Sequence, residues 1–172
     1  LRVAISGKSG CGNTTVSTLV AQKLNYPLIN YTFRAMAIEK GVDFWELHRQ
    51  AEIDDNVDLE LDRTQVKKAL EQTNCVLGSR LAIWMLQEAD VKIYLTASDE
   101  VRARRIFERE GGSYADRLAQ TKERDANDSA RYKRLYNIDN NDPSIADIVI
   151  DTELFTAEEI AHQIVSEVEK RL

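Results

Sequence analysis

The stretch Gly7-Lys8-Ser9-Gly10-Cys11-Gly12-Asn13-Thr14-Thr15 constrains this chain more than any other. It follows a short apolar run, Val3-Ala4-Ile5, and leads into an apolar-periodic segment, Val16 to Leu24. Strand, glycine-rich turn and helix in that order are the setting a phosphate-binding loop requires. The spacing fits Gly-x-x-x-x-Gly-Lys-[Ser/Thr] except that Asn13 stands where the lysine belongs. A frame shift onto Lys8-Ser9 does not restore the match, because the leading glycine would fall on Arg2. The three glycines let successive backbone N–H groups turn toward one anion, and the helix start adds its unpaired N–H groups and positive dipole end. The Thr14 hydroxyl is placed to ligate Mg²⁺. Asn13 can donate hydrogen bonds to the outer phosphates but cannot neutralise their charge. Lys8 and arginines further along are the candidate substitutes. The plain alternative is a tight turn that only joins strand to helix; three glycines and a hydroxyl pair in this setting favour phosphate binding.

The 172 residues suit one domain with a real core. A net charge of −6 argues against a general nucleic-acid binder, since no broad basic surface is available. Cys11 and Cys75 lie far apart with no metal-ligand spacing, which fits a reducing, cytoplasmic setting; Cys11 reads as a small residue tolerated in the loop. No signal peptide and no membrane-length apolar run is visible, so no membrane partner is expected. A monomer is expected.

Strands are expected at 2–6, 28–29, 74–77, 91–95 and 148–150. Helices are expected from the loop to Leu24, over 31–39, from an Asp43 N-cap with the stripe Phe44, Leu47, Ala51, and over 55–72 with Leu59, Val66 and Leu70 on one face. Further helices are expected over 81–86, 98–110, from Ser113 to Tyr136, and over 157–171 behind a Thr156/Glu159 capping box. Trp84 and Met85 read as core and His48 as a solvated surface residue. Asp62 and Arg63 interrupt their apolar face, either as a buried ion pair or as substrate contacts. Alternating strands and helices imply a parallel sheet wrapped by helices, with ligands at the carboxyl ends of the strands. Arg34, Arg80 and the loop all fall after strand ends.

Arg102, Arg105 and Arg109 share one helix face, and Arg117, Arg124, Asp128 and Arg131 share a face of the next helix. Asp116, Glu123 and Asp125 nearby allow a merely solvated, alternating helix. The Gly111-Gly112 hinge favours another reading, a lid over 111–137 whose arginines close on a polyphosphate and exclude water.

Together these residues resemble the cytidylate kinases in their short form, over nearly the whole chain. The likeness is carried by the loop from Gly7 to Thr15, Phe33-Arg34, Leu61-Asp62-Arg63, the strand end at Arg80, Val101 to Ile106, Glu123-Arg124-Asp125 with Asp128, Ser129 and Arg131, and Asp147 to Thr152. The resemblance implies an α/β, three-layer α/β/α P-loop NTPase fold of the nucleoside-monophosphate kinase type, with a five-stranded parallel sheet, a helical lid and an acceptor-binding region at 31–72. It implies transfer of the ATP γ-phosphoryl group to CMP or dCMP, with Mg²⁺ and no covalent intermediate. By position, Arg34 binds the acceptor phosphate. Arg80, Arg124 and Arg131 contact CMP or the phosphates in flight, and Asp128 lies near the cytosine or the lid arginines. Gly78, Ser79 and Leu81 depart from the family pattern, so no carboxylate for Mg²⁺ is identifiable. The rival readings are a kinase of the same fold for UMP or a small alcohol, and a non-catalytic nucleotide-binding module.

Overall fold

A computed structural model describes all 172 residues. Five strands form one all-parallel sheet: β1 (Arg2–Gly7), β2 (Leu28–Ile29), β3 (Cys75–Gly78), β4 (Val91–Thr96) and β5 (Ile148–Asp151), in spatial order β2-β3-β1-β4-β5. Parallel pairing forces each connection to cross over the sheet, and helices make the crossings. The chain therefore runs α1 (Asn13–Leu24), α2 (Phe33–Lys40), α3 (Phe44–Ile53), α4 (Asp55–Leu70), α5 (Ala82–Met85), α6 (Asp99–Glu110), α7 (Tyr114–Tyr136) and α8 (Ala157–Glu169).

Strand periodicity divides the core. Val3, Ile5, Ile93 and Leu95 point to one face, where α1 and α8 cover them with Val16, Val20, Ile160 and Ile164. Ala4, Leu77 and Tyr94 point to the other, against Ile83 and Leu86 around α5 and against Ala69 at the end of α4. A third, smaller cluster of Tyr31, Met36, Leu47 and Val57 binds α2, α3 and α4 to one another beside the sheet.

The helix boundaries carry the local devices expected of them. Asp43, Ser98 and Ser113 accept backbone N–H bonds at their helix starts, and Thr156 with Glu159 forms the reciprocal capping box. Some burial differs from expectation. Leu70 is exposed and Ala69 carries that contact, because α4 meets the sheet only with its last turn. Trp84 and Met85 are half-buried, with Trp84 set edge-on against Tyr94. Cys11 and Cys75 are buried free thiols.

The central strand β1 lies where the topology switches, with β3 on one side and β4 on the other. The loop after β1 thus opens into the crevice such sheets use for ligands. From the β4 side, α6 presses on this loop. A Cβ at Gly10 would sit 2.8 Å from the Arg102 carbonyl, so only glycine permits that approach. The Arg102 side chain, 1% exposed, then locks three segments together. It donates to Ser9 O at 3.1 Å, to both oxygens of Asp125 on α7 at 3.2 and 2.5 Å, and to Asp99 at 2.6 Å. Removing one partner of such a buried pair strands the other charge. Arg102→Ala is expected to cost about 3–5 kcal/mol in denaturant unfolding. Replacing Arg102 and Asp125 together by leucine should recover much of that loss.

Candidate functional site

Two cavities share one wall at the carboxyl end of the sheet. The first, about 260 Å³, is floored by the glycine-rich loop and has no apolar lining residue. The second, about 290 Å³, lies between α4 and α7. Ser79 and Arg80, just past the end of β3, line both.

The loop cavity is built as a phosphate cradle. Gly10 and Gly12 take left-handed φ values of 80° and 92°, and α1 opens into the cavity with Thr14 and Thr15 exposed in its first turn. Asn13 does not behave as expected. Its amide turns inward, donating to Ile5 O at 3.0 Å and Ser79 O at 3.3 Å, while its Oδ1 accepts from Ser17 at 2.8 Å. The side chain is used up tying β1 to β3, so it is not free for outer phosphates. The same packing explains the departure at Gly78. A Cβ there would collide with Ser17 Oγ and stand 2.8 Å from Asn13 Oδ1, leaving no room for a carboxylate.

Three cations border this cavity: Lys8, Arg80 and Arg109. Lys8 donates to the neutral Asn141 side chain at 2.6 Å. Arg109 is exposed and meets only its neighbour Glu110, at 3.2 Å. Of the three arginines on the α6 stripe only Arg109 borders this cavity: Arg102 is buried in its lock, and Arg105 donates to Gly10 O and Thr152 from behind the loop. No group of three histidine, cysteine or carboxylate side chains converges as a metal cage.

The second cavity gathers the other arginines. Arg80, Arg124 and Arg131 line it together. Asp128, 9% exposed, sits behind them, accepting from Arg80 at 2.7 Å and from Arg131 at 3.4 Å. It is a clamp on guanidiniums. Asp58 stands 3.7 Å from Arg131 Nε, and that nitrogen is buried with no hydrogen-bond partner. Arg124 has no carboxylate partner. Partial desolvation and then the charge of Arg80 hold its guanidinium below its ordinary range.

Arg34 does not join this group. It is exposed, with its guanidinium 4.8 Å from the centre of the Phe44 ring. Arg117 folds back to donate to Gly111 O at 2.9 Å. His48 is not a solvated surface residue. It lies among Phe33, Phe44 and Trp45 and lines the cavity. Asp62 and Arg63 are not an ion pair. Asp62 lines the cavity and accepts from the Tyr136 hydroxyl, while Arg63 lies in a separate open groove. Sequence reasoning left Asp58, Gln65, Tyr132 and Tyr136 unassigned. The spacing of Asp58, Asp62 and Gln65 at i, i+4, i+7 on α4 was the available signal.

Residues 2–154 match the model of the cytidylate kinase-like family. The chain belongs to that family. It is 46% identical over 99% of its length to cytidylate kinase 2 of Borreliella afzelii, of which it covers 98%. It is 44% identical over 87% of its length to the cytidylate kinase of Pyrobaculum islandicum, covering 83% of that protein. Among solved structures, shikimate kinase from Bacteroides thetaiotaomicron superposes with a TM-score of 0.67 at 16% identity, covering 98% of each chain, a likeness of fold. No helix here is long and apolar enough to cross a membrane.

Burial, then Asp58, push the Asp62 carboxyl up from 3.8 to about 6, against the Tyr136 hydrogen bond and Arg131, which favour the ionised form. The folded protein therefore holds this proton more tightly than the unfolded chain does. The associated stability is complete below pH 3.8 and is lost as pH rises through about 6. Asp62→Asn keeps an acceptor for Tyr136 and abolishes the titration. Its gain in Tm over the parent should be small near pH 4 and grow by a few degrees by pH 8, about 1–2 kcal/mol. Thermal unfolding across that range checks it.

Proposed function

We propose that this protein is a cytidylate kinase, transferring the γ-phosphoryl group of ATP to CMP or dCMP to give CDP or dCDP. The observation that carries the reading is the shared wall: Arg80 borders both the phosphate cradle and the arginine-lined cavity. ATP occupies the cradle, with backbone N–H groups of residues 7 to 15 on its phosphates. The monophosphate occupies the second cavity with its phosphate toward Arg80, Arg124 and Arg131. An acceptor phosphate oxygen attacks the γ-phosphorus, the bond to the β–γ bridging oxygen breaks, and ADP leaves. The side chains form no covalent bond; they align the two substrates and neutralise charge that spreads in flight.

Magnesium suits the cradle. The donor set there is hydroxyl oxygen from Thr14 with no carboxylate, and this ion keeps several waters and binds largely through phosphate oxygens. When bound it would supply charge neutralisation to the triphosphate, held by the Thr14 hydroxyl. With Asn13 turned inward, Lys8 and Arg109 are the protein's own cations for the outer phosphates. Residues 31–72 act as the acceptor-binding region and 111–137 as the lid; Gly111 and Gly112, with φ values of 74° and 89°, are its hinge, and opening there has to break the buried Arg102–Asp125 pair. Arg34 reaches the acceptor phosphate only by leaving Phe44. A cytoplasmic monomer with no nucleic-acid partner fits this reading.

The inward turn of Asn13 and the absent carboxylate favour one rival, a nucleotide-binding module without turnover. ADP release with ATP, Mg²⁺ and a panel of CMP, dCMP, UMP, AMP and dTMP separates the two. CMP and dCMP should be the best acceptors; ATP binding with no acceptor-dependent ADP release would establish the rival. Arg124→Ala should fold about as well as the parent, since it removes a partly desolvated cation that has no direct ion-pair or hydrogen-bond partner and is repelled by Arg80, yet lose about tenfold or more in kcat, roughly 1.4 kcal/mol. Lys8→Ala should raise the KM for ATP several-fold. Unchanged ATP affinity and turnover would leave the charge to Arg109.

A further inference from the structure

The acceptor cavity is lined by groups of opposite charge from facing elements. Arg80, past β3, and Arg124 and Arg131, on α7, supply the cations. On the facing helix α4, Asp58 answers Arg131, but Asp62, one turn further on, has no ion-pair partner. Its one hydrogen-bond donor is the Tyr136 hydroxyl. Beside it Gln65 spends its amide N–H on Tyr31 O at 2.9 Å, which leaves its carbonyl oxygen as a second acceptor. Phe33 and His48 add flat aromatic surface to the same lining. An unpaired carboxylate, held by a neutral phenol in a half-buried pocket, lacks a donor.

We propose that Asp62 is the specificity-determining residue of the acceptor site, accepting a hydrogen bond from the exocyclic 4-amino group of the cytosine ring. The assignment rests on the kinase reading for the orientation of the monophosphate and goes beyond it by naming what reads the base. Cytosine presents an N–H₂ donor at its 4-position, where uracil presents a carbonyl acceptor. A carboxylate there attracts the first and repels the second. Leaving a buried acceptor unpaired is what makes such a site reject the wrong base. Tyr136 is a positioning residue: its hydroxyl holds one carboxylate oxygen and leaves the other for the base. Arg63 cannot compete for Asp62, because it lines the open groove with Asn56 and Glu60.

The experiment measures binding by calorimetry and turnover in parallel, for the parent and for Asp62→Asn. The ligands are CMP, UMP and the ribonucleoside monophosphate of pyrimidin-2-one, which lacks the amino group and adds no carbonyl. In the parent, CMP should bind about tenfold or more tighter than the pyrimidinone and tighter still than UMP. In Asp62→Asn the gap between CMP and the pyrimidinone should shrink to about threefold or less, through loss of CMP affinity, while UMP is not weakened. A parent that binds the pyrimidinone as well as CMP overturns the assignment. So does a variant that keeps the full gap, or one that weakens all three ligands equally, as a purely structural residue would. Tyr136→Phe should narrow the gap in part; a gap left whole removes Tyr136 from the reading of the base. If the binding gap behaves as expected but no ADP is released, the kinase reading falls and the assignment of Asp62 stands.

Discussion

The geometry of the site depends on one neutral side chain. Asn13 occupies the place of the loop lysine, and its amide sews Ile5 O at the end of β1 to Ser79 O just past β3. These strands are neighbours, with Ile5 opposite Gly78. The tie therefore sets the distance between the phosphate cradle and the residue that carries Arg80. A lysine could donate to the same carbonyls, but it has no acceptor for the Ser17 hydroxyl. The loss of a cation at 13 and of a carboxylate at 78 are thus one change. Asn13 and Ser17 fill the volume that a side chain at 78 would need, and together they make an uncharged clasp between the loop and β3.

Charge is supplied instead by arginines of two kinds. Arg102 and Arg105 spend their donors on backbone carbonyls, Thr152 and carboxylates, and hold the loop in shape from behind. Arg80, Arg124, Arg131 and Arg109 keep N–H groups facing cavities. The difference follows from what surrounds each one. Burying a guanidinium is tolerable only with near-complete pairing, which Asp125 and Asp99 give Arg102. The cavity arginines share Asp128 and Asp58 between them, and that incomplete pairing leaves donors for an anion.

The framework was legible in the sequence because its signals are local. Short apolar runs marked the strands, and Asp43, Ser98, Ser113 and Thr156 marked helix starts through contacts two or three residues away. The parallel sheet followed from alternation, and its strand order did not, since nothing in a strand names its neighbour. The site was legible as a set of residues and less so as a set of directions. Arg102 and Arg109 lie on the same helical stripe, yet one is locked inside by Asp125 from 23 positions away and the other is exposed. Asp62 was ambiguous for the same reason: its partner Tyr136 is 74 positions distant. His48 looked solvated because its charged neighbours in sequence face outward while Phe33 and Phe44 cover it in space.

Arginine is the fitting residue at position 80 for a reason of donor geometry. A guanidinium carries five N–H donors in a planar fork, whereas an ammonium is a compact point charge with three. Asp128 takes one end of the fork at 2.7 Å and fixes the plane. Arg80 borders both cavities, so on the proposed reading its remaining donors would serve a phosphate on either side. That is what in-line transfer asks of a group at the boundary: charge shared between donor and acceptor throughout the step, with no motion needed as the phosphoryl group crosses. A lysine held by Asp128 would be drawn toward one side. The clamp behind Arg80 and the clasp at Asn13 therefore serve the same end, since each immobilises one half of the wall that the transferred group must pass.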